Sequence, residues 1–387
     1  MTKEGQITAQ SELQEILASF PSGISHSFGY GSGVFAQTEH EESSSSTNTN
    51  TNTNTNTNTN TNTNTNTNTN TSARSQDLPM IDLIFSISNT KQWHEDNLKQ
   101  NPNHYALAPR ILGADFISRV QQWGAGVYFN PMVQVESVSG RTRKRLVKYG
   151  VIDDDTLKRD LMEWDCIYIA GRMHKPIHLL DDDSSASDEI MYLQQEYNLK
   201  YAMSTALLLL SGEQVTNDSA EINVSHVFES IAGLSYIGDP RMAAGAEDPR
   251  KVKKLVHSEG QIDRFRNVYQ EQFRRLESMG LLTLKDDDVL EINLKDISTR
   301  KVLHERLPPN LQRDTKSLFS FLPSESNINV SPQKAELLCK VLTDSLTKIV
   351  GPPAKIQSVK GLVTAGVFKS ISYAAGKLSK GALKGIL

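Results

Sequence analysis

The sequence predicts a mixed α/β (α+β) protein: a sheet domain, then a mostly helical accessory domain, then a C-terminal amphipathic helix. Three observations carry that expectation. Short apolar runs such as Met80–Phe85 and Leu146–Val151 alternate with helical periodicity in the first 180 residues. From Ile190 onward the apolar spacing is mainly helical. Residues 354–387 hold six lysines and no acid, and on a helical wheel Val363, Val367, Ile371, Ala375, Leu378, Ala382 and Ile386 fall on one side. Lys369, Lys377, Lys380 and Lys384 cluster on the other, a pattern suited to an anionic membrane surface.

The elements follow in order. Residues 9–20 read as a short helix with Ser11 as N-cap, Leu13, Ile16, Leu17 and Phe20 as its stripe, and Pro21 as its stop. A strand over His26–Tyr30 enters Gly29-Tyr30-Gly31-Ser32-Gly33, where alternate glycines permit a sharp turn and close backbone approach. Such a turn offers N–H groups and a hydroxyl, a combination suited to phosphate oxygens. Residues 47–71 are an unbroken Thr-Asn alternation with no apolar face, so 38–76 is expected to be a disordered insertion. The strand Met80–Phe85 carries one carboxylate, Asp82, and a lone acid on a buried strand points first to a metal.

A helix over Thr90–Gln100, a turn at Asn101-Pro102-Asn103 and a helix over 111–122 come next. Gly126–Asn130 and Met132–Val138 read as strands, with Ser139-Gly140 turning the chain into Leu146–Val151. Asp153 to Asp155 open a helix to about Ala170, with Asp155 as N-cap. These elements make a sheet domain over 10–180. After an acidic, Ser-rich linker at Asp181–Asp188, helices at 190–210, 225–235, 248–258 and 261–279 and a small hairpin in Leu281–Leu294 build an accessory domain over 190–330. Residues 331–353 supply one more helix, 332–349, and a break at Gly351-Pro352-Pro353.

Composition excludes several classes. Cys166 and Cys339 have no ligand-like spacing, which argues against a disulfide framework or a thiolate zinc site. No apolar run approaches the ~20 residues that span a bilayer. The first 20 residues contain Lys3, Glu4, Glu12 and Glu15 and read as neither a signal peptide nor an Arg-rich transit peptide. Net charge is −4, so the 353 residues before the basic tail carry −10. The glycine turn fits no dinucleotide fingerprint, because Val34 stands where the third glycine belongs, and no P-loop motif occurs. His94-Glu95 lacks a second histidine four residues on, which removes a zinc-protease reading.

Several runs together resemble one family. They are Tyr30-Gly31-Ser32-Gly33-Val34, Met80–Phe85, Trp93-His94 with Asn97-Leu98, Asn103-His104-Tyr105 and Gly124–Tyr128. Lys148–Ile152, Ile169–Arg172 with Lys175-Pro176, and Ile231–Tyr236 with Gly238-Asp239 and Arg241-Met242 continue the series. The set resembles the mitochondrial phosphatidate cytidylyltransferases, also called the translocator assembly and maintenance family. That resemblance implies a nucleotidyltransferase fold, peripheral attachment to the matrix side of the mitochondrial inner membrane, and Mg²⁺-dependent conversion of CTP and phosphatidate to CDP-diacylglycerol and pyrophosphate, upstream of cardiolipin.

On that reading Tyr30, Gly31, Ser32 and Gly33 would hold the nucleotide, with His104, Arg172 and Lys175 as further contacts. Asp82 would ligate Mg²⁺, Lys148 would be a counter-charge to phosphate, and Arg241 would reach the lipid phosphate. Position 84 is Ile, whereas many nucleotidyltransferases carry a second acid there, so Glu136 is named as the other candidate metal ligand. A phosphomonoester has a second pKa near 6 and arrives mostly ionised, so a missing base carboxylate is tolerable. The basic run Arg141–Arg145 leaves open a nucleotidyltransferase acting on RNA ends, although few aromatics flank it and no nucleic acid is expected. A non-enzymatic import scaffold is the third reading, disfavoured by the intact Gly-Ser turn and Asp82.

Overall fold

The protein is seen here as a computed structural model that describes residues 12–35, 79–136, 144–180, 186–216, 220–243, 245, 248–286, 288–320 and 331–365. The Thr-Asn insertion, the tip of the basic hairpin and the last 22 residues lie outside that set. The fold is mixed α/β, as expected.

Five strands form the main sheet: β1 (Ile24–Tyr30), β2 (Ile81–Ile87), β3 (Val127–Glu136), β4 (Lys144–Asp153) and β5 (Ile177–Leu179). Their order is β3-β4-β2-β1-β5, with β2 and β4 parallel and the other pairs antiparallel. The two runs read separately as Gly126–Asn130 and Met132–Val138 are one strand, β3, with a register shift between Asn130 and Val133 and a positive φ of 55° at Met132.

Each face of the sheet has its own core, because side chains alternate along a strand. Leu83, Phe85, Val147, Tyr149 and Val151 pack on one side with Leu13, Ile16, Phe20 and Trp93, from the helix at 12–18 and the helix Thr90–Gln100. Phe28, Ile84, Phe129 and Ile152 pack on the other with Trp164, Leu207, Phe228 and Leu346. That second core is continuous with the accessory helices, so sheet and accessory domain share one apolar interior.

The helix opened by the three aspartates is Asp154–Glu163, shorter than expected. Asp153, not Asp155, caps it, accepting from the N–H groups of Asp155 and Thr156 at 3.1 and 3.2 Å. It stops at Trp164, whose backbone is left-handed and whose buried indole donates to Asn198 Oδ1 at 2.9 Å. The accessory domain holds the long helix Ala186–Thr216, the helices Val224–Gly233 and Gln261–Ser278, and a small antiparallel sheet. That sheet pairs β6 (Glu221–Asn223), β7 (Leu282–Leu284) and β8 (Val289–Ile292) in the order β6-β8-β7.

One helix runs over Pro332–Ala365, through Pro352 and Pro353 rather than breaking there. Tertiary contacts override the prolines: Gln357 donates to the Val127 carbonyl at 3.3 Å, and Lys360 to those of Gln121 and Trp123 at 3.0 and 2.8 Å. The first part of the basic tail is therefore docked on the sheet domain. Gln357, Lys360 and Thr364 face inward, while Ile356, beside Gly124, and Val359 stay 41% and 63% exposed. Among the described residues no helix is long and apolar enough to cross a membrane.

Candidate active site

Strand register builds the site. Tyr30 on β1 pairs with Asp82 on β2, and Asp82 pairs with Lys148 on β4, so the three stand abreast on one face. Lys148 Nζ donates to Asp82 Oδ1 at 2.7 Å. β1 ends directly in the glycine turn, where Gly31 takes φ 78°; its missing Cβ would lie 4.0 Å from Asp82 Oδ2. Gly33 presses on the start of β2, where any Cβ would lie 2.0 Å from the Met80 carbonyl oxygen. Between them Ser32 is exposed and begins a helical turn over 32–35. The turn, the hydroxyl and the carboxylate thus meet at one end of two adjacent strands.

Aromatic rings and a second cation line the row. Lys148 Nζ lies 4.9 Å from the Phe129 centroid, and Gly150 leaves room for that ring, since a Cβ there would sit 2.6 Å from it. The Arg172 guanidinium stacks 4.1 Å from Tyr168 and 5.4 Å from Tyr30, and donates to the Tyr168 carbonyl. Arg172 rides on the short helix Ala170–Met173, which buried groups fix in place. Asp160 Oδ2 accepts from the N–H groups of Ile169 and Ala170 at 2.8 and 2.9 Å. Asn198 holds the Ala170 carbonyl and His174 Nε2; burial drives His174 down to about 3, so it stays neutral. Gly171 packs on Ser235 of the accessory domain, where a Cβ would lie 2.4 Å from the serine Cβ.

Lys175 extends the cationic group. It donates to Gly171 O at 2.6 Å and to Ser235 Oγ at 3.0 Å. Burial first, then the charges of Arg172 and Lys251, push its pKa down to about 7. Lys175 Nζ and Lys251 Nζ both approach the Tyr236 ring, each 5.2 Å from its centroid.

Four sequence expectations are corrected. His104 is on the opposite face, its Nδ1 3.2 Å from Tyr149 Oη and its ring 5.6 Å from Phe20. Glu136 pairs in register with Lys144, four residues along β4 from Lys148, or roughly 13 Å at the strand rise. Register therefore keeps it away from Asp82. Arg241 is already engaged: buried Asp239 takes its Nε at 3.1 Å and its Nη2 at 2.6 Å. Arg145, expected in an exposed basic hairpin, is buried and paired with Glu12 at 2.9 Å, which weakens the RNA reading. A cavity of about 440 Å³ beside Ser25, Ser86, Asp154 and Gln194 lies at the other end of β2 from Asp82.

One feature points to a bound anion. Tyr30 Oη and Arg172 Nε are buried and reach no hydrogen-bond partner, a costly state that a ligand relieves. Among the described residues no three His, Cys, Asp or Glu converge on a metal position. Asp82 beside the glycine turn fits instead an ion held by one carboxylate and by substrate phosphates.

Comparison with known proteins shows the family. The family model described as "Phosphatidate cytidylyltransferase, mitochondrial" matches residues 13–380. The chain belongs to that family. The relative of that name from Rattus norvegicus is 33% identical over 95% of this chain and 94% of its own length. The one from Schizosaccharomyces pombe is 30% identical over 99% and 88%, and the one from Saccharomyces cerevisiae 27% over 96% and 70%. As a member of the phosphatidate cytidylyltransferase family the chain is an enzyme, and every residue of the row lies inside the matched span. Phe129, Tyr168 and Lys251 escaped the sequence reading, while Ser235 and Tyr236 entered it only within the run Ile231–Tyr236. Phe129 looked like ordinary strand filling, and Lys251 sits in a basic run, Arg250-Lys251-Val252-Lys253-Lys254, that resembles solvated surface.

Proposed function

We propose that the protein transfers the cytidylyl group of CTP to phosphatidate, forming CDP-diacylglycerol and releasing pyrophosphate, at the matrix face of the mitochondrial inner membrane and upstream of cardiolipin. The observation that carries this reading is the row Tyr30–Asp82–Lys148 beside the Gly31 turn. The names of the relatives supply the substrates.

An oxygen of the phosphatidate phosphate attacks the α-phosphorus of CTP, and the bond to the departing pyrophosphate breaks. The turn Gly31-Ser32-Gly33 cradles triphosphate oxygens with backbone N–H groups and the exposed Ser32 hydroxyl. Lys148 is shared between Asp82 and the nucleotide and balances charge that develops in transfer. Tyr30 Oη and Arg172 Nε gain the acceptors they lack. Mg²⁺, held by Asp82 and by phosphate oxygens, would neutralise charge on the transferring group. No carboxylate base is needed for a nucleophile that is already ionised.

Attachment to an anionic membrane through residues 354–387 is supported by the exposed Ile356, Val359 and Trp123, and by the lysines that follow. Lys360 is spent on carbonyls of the protein itself and is no lipid contact. Purified protein given labelled CTP, Mg²⁺ and phosphatidate in vesicles should yield a lipid-soluble cytidine product. Labelling of RNA ends with none of phosphatidate would overturn the reading. Removing residues 366–387 should weaken flotation with cardiolipin-containing vesicles; unchanged flotation would remove the tail from membrane binding.

A further inference from the structure

We infer that Asp160, together with Asn198, positions Arg172 for the reaction: the two buried side chains grip a strained turn, residues 164–170, that delivers the guanidinium to the Asp82 row. The inference deepens the proposed reaction and rests on it. Both residues act through Arg172 and are positioning residues.

The turn is one that the chain would not adopt unaided. Trp164 and Ile167 take φ of 58° and 52°. Left-handed backbone is uncommon for a residue with a Cβ and an outlier for a β-branched one such as Ile167. Among the described residues one other non-glycine residue has a positive φ, Met132. It stands in the β3 register shift between the pairs Asn130–Tyr149 and Val133–Val147, opposite Lys148. All three outliers therefore border the residues that carry the two cations, Lys148 and Arg172. Strain of this kind persists only where the surroundings over-determine it, and it gathers where geometry serves function.

The surroundings here are two side chains from different domains. Asp160, 1% exposed on the helix Asp154–Glu163, uses both carboxylate oxygens. Its Oδ1 accepts from the Cys166 N–H at 3.2 Å and from the thiol at 3.3 Å, while Oδ2 takes the N–H groups of Ile169 and Ala170. Asn198, on the accessory helix Ala186–Thr216, donates to the Ala170 carbonyl at 3.1 Å and accepts from the Trp164 indole at 2.9 Å. Ala170 is thus held at its N–H by the sheet domain and at its carbonyl by the accessory domain. Arg172 follows two residues later, its guanidinium 4.1 Å from the ring of Tyr168 in the same turn. A shift of about 1 Å in such a group can cost about 10²-fold in rate.

The test is a double-mutant cycle between Asp160 and Arg172. Asp160→Asn keeps the shape but leaves one acceptor oxygen for two pairs of donors. It should lower kcat/KM for CTP about tenfold, and Arg172→Gln alone should lower it about 10²-fold. In the Arg172→Gln background Asp160→Asn should cost no more than about twofold, because the group it positions is gone. The denaturant midpoint, by contrast, should fall equally in both backgrounds. Dissociation constants for CTP, measured by calorimetry without lipid, should show the same coupling. A tenfold loss in both backgrounds, or unchanged kcat/KM in Asp160→Asn, would make Asp160 merely structural and overturn the inference. Should Asp160→Asn fail to fold, Asn198→Ser, which shortens the other grip, enters the same cycle. Wild-type protein that binds CTP but makes no product from phosphatidate would sink the reaction itself, while the calorimetric cycle still decides whether Asp160 acts through Arg172.

Discussion

Lys148 and Tyr149 are adjacent on β4 and face opposite sides of one sheet, and their surroundings could hardly differ more. Tyr149 Oη accepts from Asn97 Nδ2 and from Asn130 Nδ2, both at 2.8 Å, in a buried network with Tyr105, His94 and Gln121. Burial lowers His94 to about 4, so that network is neutral at physiological pH. Across the sheet, Lys148 meets Asp82 in a half-exposed row flanked by Arg172 and by orphaned polar atoms. Polar groups that satisfy one another hold a fold together. Polar groups left charged and short of partners await a ligand.

The sharpest way to break that contrast is Asp82→Asn, which keeps the shape and removes the charge. Turnover should drop about 10³-fold with melting temperature nearly unchanged, because the lost interaction serves the transition state. Lys148→Met should follow with about a 10²-fold loss in kcat. A steady-state assay with labelled CTP reads both; retained turnover in either variant would put that residue outside the chemistry.

The other face should respond in stability instead. Tyr149→Phe takes the acceptor from the Asn130 amide and one of two from the Asn97 amide, which keeps Tyr105 Oη, at a cost of about 2–3 kcal/mol for buried unsatisfied donors. Denaturant unfolding should show that loss while kcat stays close to wild type. A large fall in kcat at full stability would mean the two faces are coupled.

pH gives a smaller and signed test at the domain seam. Lys175 titrates near 7, held down by burial and by Arg172 and Lys251, with Tyr236 and Ser235 as its other close neighbours. Below that pH it is charged in both folded and unfolded chains, and its burial opposes folding in full. As pH rises from 7 toward the ordinary lysine value near 10, the unfolded chain binds the extra proton and this cost fades. Stability to denaturant should therefore rise with pH between 7 and 10. Lys175→Gln should flatten the profile; an identical slope in that variant would assign it to another group.

The parts of the site that sequence made legible are those where residue type clashes with pattern. Asp82 interrupts an apolar strand, and Gly31 to Gly33 break one. Pairing of Asp82 with Lys148 was not legible, because it needs the parallel register of β2 with β4, two strands separated in sequence by helices and by β3. Glu136 failed for the same reason, since a hairpin's register fixes its distance from Asp82. Arg241 is held by Asp239, two residues earlier, a local ion pair that its spacing alone did not announce. The Pro352-Pro353 stop was overridden by packing of Ala354 and Gln357 and by the Lys360 hydrogen bonds, contacts with residues more than 200 positions away.

His104 gives the smallest expected effect and the most discriminating one. It follows Pro102 in a single 3-10 turn, an element with no periodicity from which a facing side could be read. The structure sets it against Tyr149 and Phe20, across the sheet from Lys148. His104→Ala should therefore leave kcat and KM for CTP within about twofold, while the lost contact with Tyr149 lowers stability by about 1 kcal/mol. A rise in KM for CTP of tenfold or more would return His104 to the nucleotide. The division of labour between the two faces would then fail at the point where sequence and structure most directly disagree.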